Sequence, residues 1–221
     1  MPEIILMKYG SKKHMKSFLE NGQLCMNSMN YFHEVEGDAL RHDPYEGLVS
    51  IKHMKNGILK RVNPETGENE EIASITRATI RESNSNIEYL NLFCMFAVDI
   101  EGHSSLSFSE YVDERVWKDF GDSLVMILDL DEFISRIKIS AEKEGIHVKF
   151  GLVQYKDFEI YEGDVGPFIK SHKYSYQKEA RFVALNQKSE RLFLNIGPIN
   201  DIAKLLDASD TPKLSISENH A

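Results

Sequence analysis

Lys170-Ser171-His172-Lys173-Tyr174-Ser175-Tyr176-Gln177-Lys178-Glu179-Ala180-Arg181-Phe182-Val183-Ala184-Leu185 runs from polar, aromatic and charged residues straight into an apolar β-type segment. Glu179 and Arg181 stand where loop becomes strand. Two residues apart, they project from the same side of that strand. Such a junction can carry the chemistry of an α+β enzyme or a plain structural ion pair. Lys170, Lys173, Lys178 and Arg181 interleave with Tyr174 and Tyr176. That mixture can hold a nucleotide or single-stranded nucleic acid, and it is equally what a solvated sheet edge guarded by lysine looks like.

Around this junction the chain reads as short strands with turn signals and a few helices. Ile4–Tyr9 is a strand, Ser11 an N-cap for a helix to Glu20, and Asn21-Gly22 its stop. Gln23–Met29 is a strand. Leu48–Met54, an Asn56-Gly57 turn and Ile58–Val62 read as a hairpin, followed by a second turn at Asn63–Asn69, with Pro64 and Gly67, and a β-like segment at Glu70–Arg81. Glu88–Val98 is apolar and should be central. Ser107 with Glu110 fits a capping box for a helix to Phe120. Leu124–Leu128 is a buried strand, and Asp129–Glu144 an amphipathic helix with Phe133, Ile134, Ile137 and Ala141 inward. Val148–Tyr155, Glu159–Tyr161, Ala180–Leu185 and Arg191–Ile196 are strands, and Asp201–Leu206 a short helix. The reading is an α+β fold with a curved, mainly antiparallel sheet and three to four helices. It is one domain over residues 1–206, with a polar, flexible tail over 207–221.

The 221 residues carry a formal charge of −9. That argues against general DNA binding, which needs a basic face to release counterions. The amino terminus lacks the basic and apolar regions of a signal peptide, and no apolar run is long enough to span a bilayer. Cys25 and Cys94 each lie in an apolar stretch and read as buried free thiols. A soluble, cytoplasmic protein of bacterial or phage origin is expected. No Gly-x-Ser-x-Gly elbow, phosphate-binding glycine loop or dinucleotide fingerprint is present.

A second cluster is the loop His33–Gly47, with five carboxylates, two histidines and Arg41. Hard oxygen ligands would suit Mg²⁺ or Mn²⁺, but the spacing matches no metal motif and no metal is assigned. Alternatively Arg41 and the carboxylates fix the loop, which then shapes a ligand or partner surface; Asp43 and Glu46 are the candidates there. The bland alternative is a solvated acidic loop whose Asp43-Pro44 opens a turn.

Gln177-Lys178-Glu179 before a strand resembles the Gln-x-Glu element of the ADP-ribosyltransferase fold. The resemblance implies NAD as cofactor, with Glu179 as the catalytic acid residue favouring the cationic sugar as nicotinamide leaves. Gln177 would orient the acceptor, and Tyr9 and Tyr176 would pack on nicotinamide. The chain's opening, Leu6–Ser11 and Phe18–Leu24, looks like the family's first strand, helix and second strand. The family's His or Arg on the NAD ribose falls near Lys8 or Tyr9, and neither is the usual residue. Its Ser-Thr-Ser element would have to be Ser107-Phe108-Ser109, which reads as a helix cap.

The order Gly22-Gln23-Leu24, Ser28–Phe32, Asp43-Pro44-Tyr45-Glu46-Gly47 and the late Glu179-Ala180-Arg181 is also similar to a broad, poorly characterised group of bacterial and phage proteins. That resemblance implies one site, assembled from the early loop and the late strand. Two functions follow from these readings. The favoured one is a non-catalytic binding protein in a phage-host or defence setting, holding a protein partner or a nucleotide through Tyr9, Asp43, Glu46, Tyr176 and Arg181. The other is the NAD-using transferase.

Overall fold

The computed structural model describes residues 3–34, 43–83, 89–186 and 190–217. In chain order these form β1 (Ile4–Gly10), α1 (Lys12–Asn21), β2 (Gln23–Ser28), α2 (Met29–Glu34), β3 (Leu48–Val62), β4 (Asn69–Ser83), β5 (Leu90–Asp99), β6 (Ser105–Ser107), α3 (Phe108–Tyr111) and α4 (Glu114–Asp119). There follow β7 (Ser123–Ile127), α5 (Leu130–Lys143), β8 (His147–Leu152), β9 (Gln154–Lys156), β10 (Gly163–Asp164), β11 (Ile169–Ser171), a 3₁₀ helix (His172–Gln177), β12 (Glu179–Leu185), β13 (Leu192–Asn195), β14 (Ala203–Asp207), a second 3₁₀ helix (Ala208–Lys213) and β15 (Ser215–Ser217). The fold is α+β and the pairing is antiparallel throughout the large sheet; β9 with β11 is the parallel pair.

β5 is the central strand, as its unbroken apolar run requires. One edge pairs with β12 over Leu90–Phe96. The other is shared: β2 takes Asn91 and Leu92, and β1 takes Phe96–Asp99. β1 and β2 thus diverge like a fork, and neither strand pairs with Phe93, Cys94 or Met95 on that edge. A buried carbonyl without a ladder partner needs another donor. The Lys8 ammonium supplies one to the Cys94 oxygen at 2.6 Å, with its charge 4.6 Å from the Phe93 ring centroid.

Alternation along the strands gives the sheet two apolar faces. α1 and α5 cover one, where Leu6, Phe18, Phe93, Phe133, Ile137 and Phe182 are buried together. Phe133 meets Phe182 edge-on at 5.7 Å. The other face packs Met7, Tyr9, Phe96 and Val98 against Phe108 and Val116. Each such side chain contributes about 1.5–3 kcal/mol when fully buried. The helix α1 ends as expected at Gly22, in left-handed conformation (φ 61°). A Cβ there would also lie 1.8 Å from the Gly197 carbonyl oxygen, so glycine is required twice over.

Several local expectations are corrected. Asn56-Gly57 is not a hairpin turn. β3 runs through it with Asn56 at φ 56°, and the register to β4 is unchanged on either side. The strands are joined instead by the second expected turn, at Asn63–Asn69, where the Asn63 side chain accepts from the Glu65 amide and Gly67 takes φ 72°. The ladder of two 15-residue strands overrides one good turn dipeptide. The helix expected from Ser107 to Phe120 is two helices, because Asp113 caps a new one through the Arg115 amide. Ser107 holds the N-cap position of the first but bonds Ser109 with its hydroxyl instead of capping. With α2 added, five α-helices and two 3₁₀ helices stand among the described residues where three to four helices were expected. Asp201–Leu206 is not a helix. Ala203–Asp207 pairs with β7, because its apolar residues complete that edge. Residues 208–217, expected in a flexible tail, form the second 3₁₀ helix and β15, which pairs with β6. Thr211 in this segment is fully buried.

The expected strand Val148–Tyr155 divides at Val153. β8 pairs with β12, whereas β9 turns away to run parallel to β11. The Val153 amide donates to the Glu179 carbonyl and the Gln154 amide to that of Phe168. This change of partner draws Lys170 over the start of β12. Glu159–Tyr161 is not a strand: residues 158–160 form a turn, closed by the Tyr161 amide on the Asp157 carbonyl.

Candidate functional site: a charged network beside a forked cleft

Glu179 and Arg181 project from the same face of β12, as their spacing requires. Both are buried, Arg181 at 1% exposure. The Arg181 guanidinium donates through Nη1 and Nη2 to the two carboxylate oxygens of Glu46, at 2.7 and 3.0 Å. Its Nε donates to Glu179 Oε2 at 2.8 Å, and Nη1 also reaches the Pro167 carbonyl at 2.6 Å. Glu179 Oε1 accepts from Lys170 Nζ at 2.7 Å. The same ammonium donates to Gln177 Oε1 at 2.8 Å and lies 4.7 Å from the Tyr174 ring centroid. The Tyr155 hydroxyl accepts the Glu179 amide at 2.8 Å.

Burial alone would raise the pKa of Glu179. Arg181 and Lys170 outweigh it and hold the carboxyl well below the usual carboxylate range. Burial would likewise discharge the two cations, yet Glu179 keeps Lys170 above its ordinary value, and Glu179 with Glu46 does the same for Arg181. Both of Glu179's oxygens are thus committed to cations. Burial and the neighbouring Glu46 raise Asp43, which is 1% exposed. Its Oδ1 accepts the Tyr45 amide and shapes the turn that delivers Glu46.

The early acidic loop and the late strand therefore meet, through Glu46 and Arg181. Residues 35–42 of the expected loop, with Arg41 and His42, lie outside the described residues. Tyr9 lines the cleft described below, whereas Tyr176 is not among the residues that line it. Tyr9 packs with Met7 and Phe96, and its hydroxyl pairs with Thr211 Oγ1 at 3.0 Å. Burial pushes its phenol to about 12, against the pull of that hydrogen bond. Tyr176 carries the Arg115 guanidinium 3.7 Å from its ring centroid, and its hydroxyl accepts from Gln177.

The fork between β1 and β2 opens into a cleft of about 920 Å³, a volume suited to a cofactor-sized ligand. Gln177, Glu179 and Arg181 lie along it with Lys8, and its far rim is Cys25, Arg191 and Phe193. No family model, curated protein or solved structure matches this chain. Its function has to be read from its own side chains. Lys170 had stood out in the sequence only as one of several lysines. Tyr155, Arg191 and Phe193 had given no sign of a role, since each looks like an ordinary strand residue.

Proposed function

We propose that this chain is a non-catalytic binding protein, a single α+β domain with a curved sheet, whose forked cleft receives the ligand. The observation that carries this reading is the double engagement of Glu179. A carboxylate that must stabilise a developing cation needs an oxygen turned to the reacting atom. Here Oε1 is held by Lys170 and Oε2 by Arg181. The four-charge network serves as a rigid wall of the cleft, fixing the loop that bears Glu46 against the sheet. The phage-host or defence setting rests on the sequence resemblance alone.

Thermal-shift screening of the full chain against small anionic metabolites tests the reading, in parallel with pull-downs from a bacterial lysate. It expects a ligand or partner whose stabilising effect is lost in cleft variants. A screen with no stabilising ligand and no specific partner would contradict it.

One observation favours the NAD-using transferase as a second reading: Gln177 and Glu179 stand together beside the cleft. For that activity the Lys170 and Arg181 contacts would have to yield as NAD entered. Release of nicotinamide from NAD by the wild-type chain, abolished by Glu179→Gln, would establish it over the binding reading.

A further inference from the structure

The far rim of the cleft is built differently from the charged wall. β13 pairs with β2 so that Phe193 faces Cys25, and Arg191, the residue just before β13, lines the same cleft as Asn27. The alternate residues Leu24, Met26 and Leu194 are buried in the core beneath α5. The opposite face thus presents Cys25, Asn27, Arg191 and Phe193, and Phe193 is 54% exposed. An exposed aromatic ring on a sheet face is a stacking surface for any planar base. The Arg191 guanidinium stands 6.0 Å from the Tyr31 ring centroid, so the rim carries a second aromatic side chain beside its cation.

Charge adds to this. Arg191, Lys8 and Cys25 line the same cleft; burial pushes the Cys25 thiol up, while the two cations pull against it. Lys8 lies on β1 and Arg191 just before β13, the strand paired with β2, in a chain whose net charge is −9. A site that gathers positive potential in an acidic protein selects an anion. Arg191 stands just before β13 and two residues from Phe193, about 7 Å of extended chain, a separation comparable to that between a nucleobase and its own 5′-phosphate.

We propose that the β2–β13 rim of the cleft binds a nucleoside 5′-monophosphate or a nucleotide containing that unit, with the base stacked on Phe193, its edge read by the Asn27 amide, and the phosphate held by Arg191. The inference rests on the binding reading and gives it a ligand class. The charged wall at Glu179 then confronts the rest of the ligand across the fork.

Isothermal titration of the full chain decides the matter, using the four ribonucleoside monophosphates, their nucleosides and inorganic phosphate as separate probes. At least one monophosphate should bind, with its nucleoside and inorganic phosphate each weaker by about tenfold or more. Phe193→Ala should weaken the monophosphate about tenfold, as loss of one stacking partner does. Arg191→Gln should bring the monophosphate down to the affinity of its nucleoside. Both side chains are exposed, so unchanged melting temperatures serve as the fold control. Absence of monophosphate binding, binding that Phe193→Ala leaves intact, or phosphate binding as tightly as the nucleotide would each overturn the proposal. If a ligand of another class stabilises the chain while all nucleotides fail, the ligand assignment falls and the binding reading stands.

Discussion

Arg181 grips both carboxylate oxygens of Glu46 from 135 residues away in the chain, at 2.7 and 3.0 Å. This contact joins the early loop to the late strand. With Lys170 and Glu179 it makes a wall in which every cation faces a carboxylate.

Removing one member leaves an uncompensated charge in the interior. Arg181→Ala or Glu46→Ala should each cost about 3–5 kcal/mol in denaturant unfolding. The double variant should lose much less than the sum, because the second deletion removes the orphan left by the first. Additive losses would mean that the two residues do not act as a pair.

The pH dependence has a definite sign. The pKa of Glu179 is lower in the folded chain than in the unfolded one. Its stabilising contribution is complete above the unfolded value of about 4.3 and is lost as pH falls toward the folded value. The stability gap between wild type and Glu179→Gln should therefore be constant from about pH 6 upward and shrink below about pH 4. A gap that widens on acidification would contradict the assignment.

Gly22 offers a test of the frame. Gly22→Ala combines a positive φ with a clash against the Gly197 backbone. It should destabilise clearly more than Gly67→Ala, whose added Cβ meets nothing within 4 Å and which bears only the backbone strain of about 1 kcal/mol. Equal losses in thermal unfolding would show that the close approach to Gly197 is absent.

Deleting residues 207–221 tests the carboxyl-terminal segment. It removes β15 and Thr211, the hydrogen-bond partner of the buried Tyr9 hydroxyl. The truncated chain should melt well below the full one. An unchanged melting temperature would restore the flexible tail expected from the sequence.

What could be read in advance depended on locality. The common face of Glu179 and Arg181 follows from a spacing of two, and the central place of β5 from its apolar run. Gly22 announced the end of α1. The Glu46 partnership was suggested only by the order of motifs, since no local rule links residues so far apart. Lys170 was hidden because its position depends on β9 changing partners at Val153. The fork was hidden for a similar reason: two strands dividing one edge of β5 is a property of the assembled sheet. Asn56-Gly57 misled because a strong turn signal gave way to a ladder held along its whole length.

Native mass spectrometry of the full chain with a panel of anionic metabolites, nucleotides and NAD among them, reads binding and turnover together. Binding without catalysis predicts a complex at the mass of protein plus intact ligand. An altered ligand mass, such as NAD stripped of nicotinamide, or no complex with any member of the panel, would contradict it.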